Sequence, residues 1–242
     1  MVSIICVFNN RKILENYLLK SLKIQKEVEY ELILIDNTNN TFNSASSALN
    51  FGGKKAQGDF LIFVHQDISF KEEYTLKNFV DKLYRYPNSI VGMAGMLDEG
   101  VITKIKHGKE NKYAGTINSF TPQEVQSVDE CIFSIPKKIF NENYFNEEII
   151  KGWHLYAVEY SVRLANKGIK TFVVDVEGIY HLSPGYSMNN SYYKILKKIL
   201  KKYKVKKLYT TMGIWPNNFF KLNSIIIINI IKRNIKKFLK LK

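Results

Sequence analysis

Two apolar segments that each run into a polar cluster constrain the fold of this chain more than any other feature. The segment Glu31–Ile35 is followed by Asp-Asn-Thr at 36–38, and the segment Asp59–Val64 by His-Gln-Asp at 65–67. Short, β-branched apolar runs bounded by polar residues are typical of buried strands. In open α/β sheets, ligands bind at the carboxyl ends of the strands. We therefore expect carboxylate, amide and imidazole groups to converge at one sheet edge.

Strand and helix patterns alternate along most of the chain. Strands are predicted at Val2–Val7, Glu31–Ile35, Asp59–Val64, Ile90–Met96, Val101–Ile105, Val125–Ile135 and Thr171–Val176, and helices at 11–22, 43–56, 74–84 and 153–166. This alternation predicts an α/β fold with a mostly parallel central sheet flanked by helices.

The cysteine content and the apolar runs bear on the compartment. Cys6 and Cys131 both lie in apolar runs, which favours buried, reduced thiols in a cytoplasmic protein. The start of the sequence lacks the pattern of a secretory leader. The longest apolar run near the end, Ile225–Ile231, is well short of the ~20 residues that span a bilayer. We expect a cytoplasmic protein, either soluble or peripheral on the inner face of the membrane.

The net charge of +14 is concentrated at one end of the chain. Residues 189–242 contain 15 Lys or Arg and no Asp or Glu, so residues 1–188 sum to −1. We predict an α/β domain at 1–188 and a basic helical tail at 189–242. Lysines interleave with apolar residues at Tyr193–Leu208 and Ile225–Leu241, a pattern typical of basic amphipathic helices. These helices either pack on the domain or bind an anionic membrane, which we favour; without a recognisable module, nucleic acid is not expected.

Several motifs occur in an order that resembles a known family. The opening strand ends in a polar loop, and the second strand ends in Asp36. The pattern A-x-N-x-G-x-x-x-A-x-G follows on a helix, where it is matched by Ala48, Asn50, Gly52, Ala56 and Gly58. This helix leads to a third strand that ends in His-Gln-Asp. These motifs resemble the family 2 type glycosyltransferases of the GT-A fold over residues 2–186. The His-Gln-Asp string is similar to the bacterial subgroup typified by streptomycin-biosynthesis-type enzymes, in place of the usual D-x-D.

The resemblance implies a nucleotide-sugar donor, with UDP favoured. The residues expected to bind it are Phe8, Asn10, Asp36, Asn50, His65 and Gln66. Asp36 can accept hydrogen bonds from a base or a ribose, although Asp at such a position also forms simple turns. His65 is equally compatible with a structural role.

A divalent cation, Mn²⁺ or Mg²⁺, is expected at Asp67. Such an ion neutralises the charge that develops on a departing diphosphate, and one carboxylate with phosphate oxygens and water suffices for it. His181 is the predicted second protein ligand, because imidazole suits Mn²⁺ and a late His serves in many GT-A enzymes.

An inverting transfer needs a base for the acceptor hydroxyl. In the subgroup that this chain resembles, an H-x-Y-D-x-D string supplies the base. In this sequence Ala157 takes the place of the first Asp of that string, and Glu159 takes the place of the second. We predict Glu159 as the base, with His154 as the alternative. The acceptor is expected to be a glycan or a lipid-linked saccharide in cell-surface polysaccharide synthesis. Two other functions stay open: a non-catalytic relic that binds sugar nucleotides, and a nucleotidyltransferase.

Overall fold

The computed structural model describes residues 1–183 and 188–240, with only the backbone for 236–240. The described strands are β1 (Val2–Phe8), β2 (Tyr30–Asp36), β3 (Phe60–Val64), β4 (Ile68–Phe70), β5 (Ile90–Gly92), β6 (Ala94–Leu97), β7 (Gly100–Thr103), β8 (Lys106–His107), β9 (Lys112–Tyr113), β10 (Gln123–Glu124), β11 (Ile132–Pro136), β12 (Thr171–Val173), β13 (Ile179–His181), β14 (Lys207–Thr210) and β15 (Gly213–Pro216). The helices are α1 (Arg11–Leu14) and α2 (Lys20–Leu22), joined by a π-helical segment (Glu15–Leu19), then α3 (Ala45–Gly53), α4 (Thr75–Arg85), α5 (Lys137–Glu142), α6 (Tyr156–Ala165), α7 (Asn190–Tyr203) and α8 (Phe219–Lys240).

The central sheet has seven strands in the order β10-β12-β5-β11-β3-β1-β2. Strand β1 pairs in parallel with β2 and β3, and β12 pairs in parallel with β5. Strand β11 runs antiparallel to both β3 and β5, and β10 runs antiparallel to β12. The predicted α/β fold is confirmed: five of the seven strands run in the same direction, and β11 and β10 run against them, so the sheet is mixed. The apolar pattern of a buried strand does not encode the direction in which it runs.

Both faces of this sheet are covered by apolar side chains. Along β1, Ile4 and Cys6 belong to one core cluster, whereas Ile5 belongs to the cluster on the other face. Burial on both faces explains why these strands read as continuous apolar runs instead of alternating ones. Cys6 and Cys131 are free and buried, as predicted.

One edge of the sheet collects the polar clusters. Strands β1, β2 and β3 end side by side, with Phe8 opposite Asp36 in the register. Strand β11 enters at this same edge, because Ile132 pairs with Val64 at the end of β3. The segment before β11 therefore lies next to the polar cluster at 65–67.

The C-terminal region packs one face of each of its helices on the sheet domain. The apolar faces of α7 and α8 join the core cluster on one side of the sheet. Helix α7 ends at Tyr203, and its C-cap Lys204 has a φ of 52°, so the predicted helix to Leu208 is too long. The hairpin β14–β15 follows and was not predicted. The boundary between residues 188 and 189 stays a prediction. Among the described residues, no helix has both the length and the hydropathy to cross a bilayer.

Gly58 lies where the connection from α3 to β3 passes against β1. Its N–H donates to Ser3 Oγ at 2.8 Å, and a Cβ on it would lie 2.6 Å from the backbone nitrogen of Ser3. We expect Gly58→Ala to lower the free energy of unfolding by about 3 kcal/mol through overpacking. The matched variant Gly108→Ala, with open space but a φ of +64°, should cost only about 1 kcal/mol. Urea unfolding measures both, and equal losses would contradict the close approach at Gly58.

Candidate functional site

A cavity of about 410 Å³ lies at the carboxyl-end edge of the sheet, within the size range of small-molecule sites. It is lined by the loops after β1, β2 and β3, the segment before β11, the start of α6, the end of β13 and part of the C-terminal region. Of the predicted site residues, six line it: Phe8, His65, Gln66, Asp67, His154 and His181. The other four, Asn10, Asp36, Asn50 and Glu159, are not among the residues that line it.

Two imidazoles and a carboxylate meet on one wall of this cavity. His65, Asp67 and His181 each offer one ligand atom, and these atoms lie within 4.8 Å of one another. His181 Nε2 lies 3.3 Å from Asp67 Oδ1, yet among the described residues this buried nitrogen has no partner in hydrogen-bond geometry. Burial opposes ionisation of Asp67, but the neighbouring His181 and His65 outweigh it and lower the pKa of its carboxyl. An ionised carboxylate beside an unsatisfied imidazole nitrogen is a donor set that suits a divalent cation.

His65 is held as a neutral imidazole. Burial, together with the neighbouring His181, lowers its pKa to about 4. Its Nε2 lies 3.0 Å from the hydroxyl of Tyr156, which connects the end of β3 to the start of α6. A neutral ring retains the lone pair that a metal ligand or a hydrogen-bond acceptor needs.

Gln66 connects the loops after β1 and β3. Its Oε1 accepts hydrogen bonds from the backbone N–H groups of Asn9 and Asn10, at 3.1 and 3.0 Å. Its Nε2 donates to Asn9 Oδ1 at 2.7 Å. All the polar atoms of the Gln66 side chain thus contact the polar loop that follows β1. Gln66, predicted to bind the donor, therefore lies at the cavity wall and positions this loop.

The predicted donor-binding residues that lie off the cavity wall have local partners. Asn10 caps α1, its side chain accepting from Ile13 N. Asp36 lies half-exposed at the end of β2, where it accepts hydrogen bonds from Thr38 and forms an ion pair with Arg11 at 3.1 Å. The hydrogen bonds from Thr38 and then Arg11 lower its pKa. The side chain of buried Asn50 donates a hydrogen bond to the backbone carbonyl of Phe145 and accepts one from the backbone N–H of the same residue. These contacts connect α3 to the chain before α6.

Glu159 points into the interior of the protein. It is fully buried, its Oε1 accepts from Arg163 Nε at 3.1 Å and from the hydroxyl of Tyr203, and burial raises its pKa. Because α6 turns by about 100° per residue, its side chain faces α7 rather than the cavity. The helix position predicted for the base therefore contributes no carboxylate to the cavity wall.

Two carboxylates that sequence reasoning missed do line the cavity. Asp129 and Glu130 lie immediately before β11, beside the cluster at 65–67. Asp129 accepts from Thr211 and from Cys131 N; although burial opposes it, these bonds lower its pKa. Burial, with the charge of Asp129, raises the pKa of Glu130 well above its usual value. The adjacent Asp-Glu pair was visible in the sequence, but its relevance depends on the direction of β11.

Glu130 is held at the start of α6. Its Oε1 accepts from the backbone N–H of Tyr156 at 2.7 Å, within the first turn of the helix that also contains Ala157. Leu155, the residue before this helix, has a φ of 62°, a left-handed conformation that costs a residue of this type about 1–2 kcal/mol. Backbone strain of this kind clusters at functional sites. The turn at Leu155 directs the first N–H groups of α6 toward Glu130.

Another wall of the cavity is formed by residues with aromatic and thioether side chains. Its lining residues are Trp153, His154, Met188, Tyr192 and Met212. Trp153 is 41% exposed, and the rings of His154 and Tyr192 lie 5.9 Å apart. Burial lowers the pKa of His154. This wall suits contact with the apolar face of a sugar ring.

Comparison with known proteins assigns the family. A family model described as "Glycosyltransferase like family" matches residues 2–203, which is most of the chain. The chain belongs to this glycosyltransferase family.

Solved structures share the fold of this glycosyltransferase-family chain. The S. aureus TarS fragment 1–349 in complex with UDP-GlcNAc aligns with a TM-score of 0.60 at 16% identity, over 83% of this chain and 65% of that one. GalNAc-T7 with UDP, GalNAc and Mn²⁺ aligns with a TM-score of 0.60 at 14% identity, over 84% of this chain and 49% of that one. The chain thus spans about two thirds or less of these neighbours. No curated protein sequence matches.

The depressed pKa of His65 makes a prediction for stability. Between pH 6.5 and about 4 the unfolded chain protonates this ring and the folded protein does not, so the free energy of unfolding should fall as the pH is lowered through that window. The contribution is up to about 3 kcal/mol. His65→Gln cannot be protonated, so its stability should change less between pH 7 and pH 4.5. Urea unfolding at several pH values measures the difference, and parallel pH profiles for both proteins would contradict it.

Proposed function

We propose that this protein transfers a sugar, with inversion, from a nucleotide-diphosphate sugar to a saccharide acceptor with the help of a divalent cation. A UDP-sugar is the favoured donor, since both structural neighbours named above were determined with UDP or a UDP-sugar. The observation that supports the proposal best is the composition of the cavity. It contains Asp67, Asp129 and Glu130, and no Lys or Arg is among its described lining residues.

That charge pattern supports the use of a metal. A diphosphate is itself anionic, and in this cavity the described side chains offer it no fixed cation. The cluster of His65, Asp67 and His181 fits a divalent ion, and its mixed imidazole and carboxylate donors favour Mn²⁺ over Mg²⁺. When bound, the ion would offset the negative charge on the departing diphosphate. The GalNAc-T7 structure contains Mn²⁺, which agrees with this choice.

The donor would lie along the sheet edge. Its nucleoside would contact Phe8 and Asn40, which line the cavity near the ends of β1 and β2. Its diphosphate would point toward Asp67, and the transferred sugar toward Trp153. Gln66 holds the loop after β1 in place for this arrangement. We also propose that, within the glycosyltransferase family, this chain is similar to the streptomycin-biosynthesis-type subgroup.

Glu130 is the residue that we propose as the base. Its carboxylate reaches the start of α6 from the segment before β11, next to the position where Ala157 replaces the expected Asp. The raised pKa of Glu130 brings its proton affinity closer to what removal of a hydroxyl proton requires. Asp129 beside it has a lowered pKa; two adjacent carboxylates whose pKa values are pushed apart are typical of a site with divided roles.

The acceptor would enter along the wall formed by Trp153, His154 and Met188. A glycan or lipid-linked saccharide at the cytoplasmic face of a membrane is the proposed acceptor. The basic C-terminal region, with its 15 Lys or Arg, would bring the protein to that anionic surface, and cell-surface polysaccharide synthesis is the matching role. His154, half-buried with its Nε2 3.2 Å from Asn189 Nδ2, would position the acceptor.

A sugar-nucleotide-binding protein without catalysis is the second candidate. The replacement of the helix carboxylate by Ala157 favours it. The comparisons do not support the predicted nucleotidyltransferase alternative, because they match a glycosyltransferase family and a structure with a bound UDP-sugar. Turnover of a bound donor distinguishes transfer from binding alone.

Slow release of UDP from UDP-sugars in the presence of Mn²⁺ tests the proposed activity. We expect Asp67→Asn to reduce this release at least hundredfold, equivalent to about 2.7 kcal/mol of transition-state stabilisation, and to abolish Mn²⁺-dependent stabilisation by UDP. The matched control Asp81→Asn, a surface residue paired with Lys77, should behave as the wild type. Stabilisation by UDP-sugar without any release would favour the binding protein, and full activity of Asp67→Asn would refute the metal assignment.

A pair of glutamate variants tests the base. We expect Glu130→Gln to lower kcat at least hundredfold while leaving the Kd for UDP unchanged, because removal of a general base affects the chemical step. Glu159→Gln should lower the melting temperature and keep most of kcat, since Glu159 contacts Arg163 and Tyr203 inside the protein. Wild-type activity should rise with pH through an apparent pKa above the usual glutamate range. A larger kcat loss in Glu159→Gln would restore the helix carboxylate as the base.

A further inference from the structure

Helix α8 exposes an apolar stripe to solvent. Six of its large apolar side chains are exposed: Phe219, Phe220, Ile227, Ile228, Ile231 and Ile235. Phe219 and Phe220 are 74% and 79% exposed, and the four isoleucines are 49–57% exposed. Scattered exposed apolar residues are normal on a protein surface, whereas a contiguous group marks an interaction site.

The stripe is distinct from the face that packs on the protein. At about 100° per residue, Phe220, Ile227, Ile231 and Ile235 lie on one side of α8. Leu222 and Ile226 lie on the other side and are buried against the domain. The helix is therefore already docked, and its second apolar face runs for about 22 Å from Phe220 to Ile235.

The charges around the stripe select its partner. Lys221 and Lys232 are both exposed and lie along one border of the stripe, within a region of 15 Lys or Arg and no acidic residue. A second copy of this chain would bring like charges together at the same surface. An anionic lipid surface offers both the apolar layer and the opposite charge, which is the combination that amphipathic interfacial helices use.

The position of α8 connects this surface to the cavity. Arg233 Nη1 donates to the carbonyl of Met188 at 2.7 Å, and Met188 lines the cavity. Arg233 lies on the docked side of α8, so a bilayer that contacts the stripe would be separated from the wall where the acceptor is proposed to enter by the width of the helix, about 10 Å.

We propose that α8 lies in the surface of an anionic membrane, with the stripe from Phe220 to Ile235 inserted among the acyl chains and its lysines at the headgroups. This proposal rests on the membrane partner proposed above and names the face and the manner of contact. Charge attraction alone would need no exposed isoleucines. The inserted stripe makes the binding depend on apolar side chains as well as on ionic strength.

Vesicle co-sedimentation with the full chain tests the proposal. The probes are vesicles of phosphatidylcholine alone and vesicles with one third phosphatidylglycerol. The test variant is Ile227→Ser, Ile231→Ser and Ile235→Ser combined, and the matched control is Ile24→Ser, Leu32→Ser and Leu34→Ser, three exposed apolar residues elsewhere on the surface. We expect the wild type and the control to bind the anionic vesicles, and the test variant to bind at least tenfold more weakly with an unchanged melting temperature.

Each other outcome refutes the proposal. Equal binding by the test variant would show attraction by charge alone, and equal binding to both vesicle types would exclude the anionic requirement. A wild-type dimer in light scattering that the test variant abolishes would assign the stripe to a second copy. UDP release by the wild type in vesicle-free solution is measured in parallel: normal release by a wild type that does not bind vesicles refutes the membrane surface, and vesicle binding by a wild type without release refutes the glycosyl transfer.

Discussion

The backbone hydrogen bond from His65 N–H to Cys131 carbonyl, at 2.9 Å, fixes the geometry on which the cavity depends. It extends the antiparallel pairing of β3 and β11 by one step beyond the end of β3. As a result, the residues that follow one strand and the residues that precede the other lie side by side. His65 and Asp67 lie about 65 residues before the proposed base Glu130 in the sequence, and this ladder sets the spacing between them.

The parts of the fold that depend on local pattern could be predicted from the sequence. The strand preceding His65 and the helix predicted at 43–56 follow from apolar periodicity, although the N-cap of that helix is Ser44, and their order led to the correct fold class. Strand direction follows from tertiary packing, because a strand buried on both faces has the same apolar composition whichever way it runs. For that reason the sequence placed His65 and Asp67 at the site edge and missed Asp129 and Glu130.

The site residues show a similar division. His65 and Asp67 follow a strand whose end could be located, whereas His181 ends β13, which was not predicted, and the structure brings the three together. Glu159 was selected because it is the carboxylate on the expected helix. Its burial against Tyr203 depends on α7, whose docking position is not readable from its amphipathic pattern. A pattern identifies the apolar face of a helix, whereas the neighbour that covers it is set by the rest of the molecule.

The bridging side chain of Gln66 has an implication for selectivity. Three hydrogen bonds immobilise the loop after β1 before any ligand arrives, so little conformational entropy remains to be lost there on association. A rigid half-site of this kind would discriminate among the proposed nucleotide-sugar donors by its fixed shape. Choice among different saccharides would then fall to the opposite, methionine-containing wall, whose unbranched side chains can adjust to differently shaped rings.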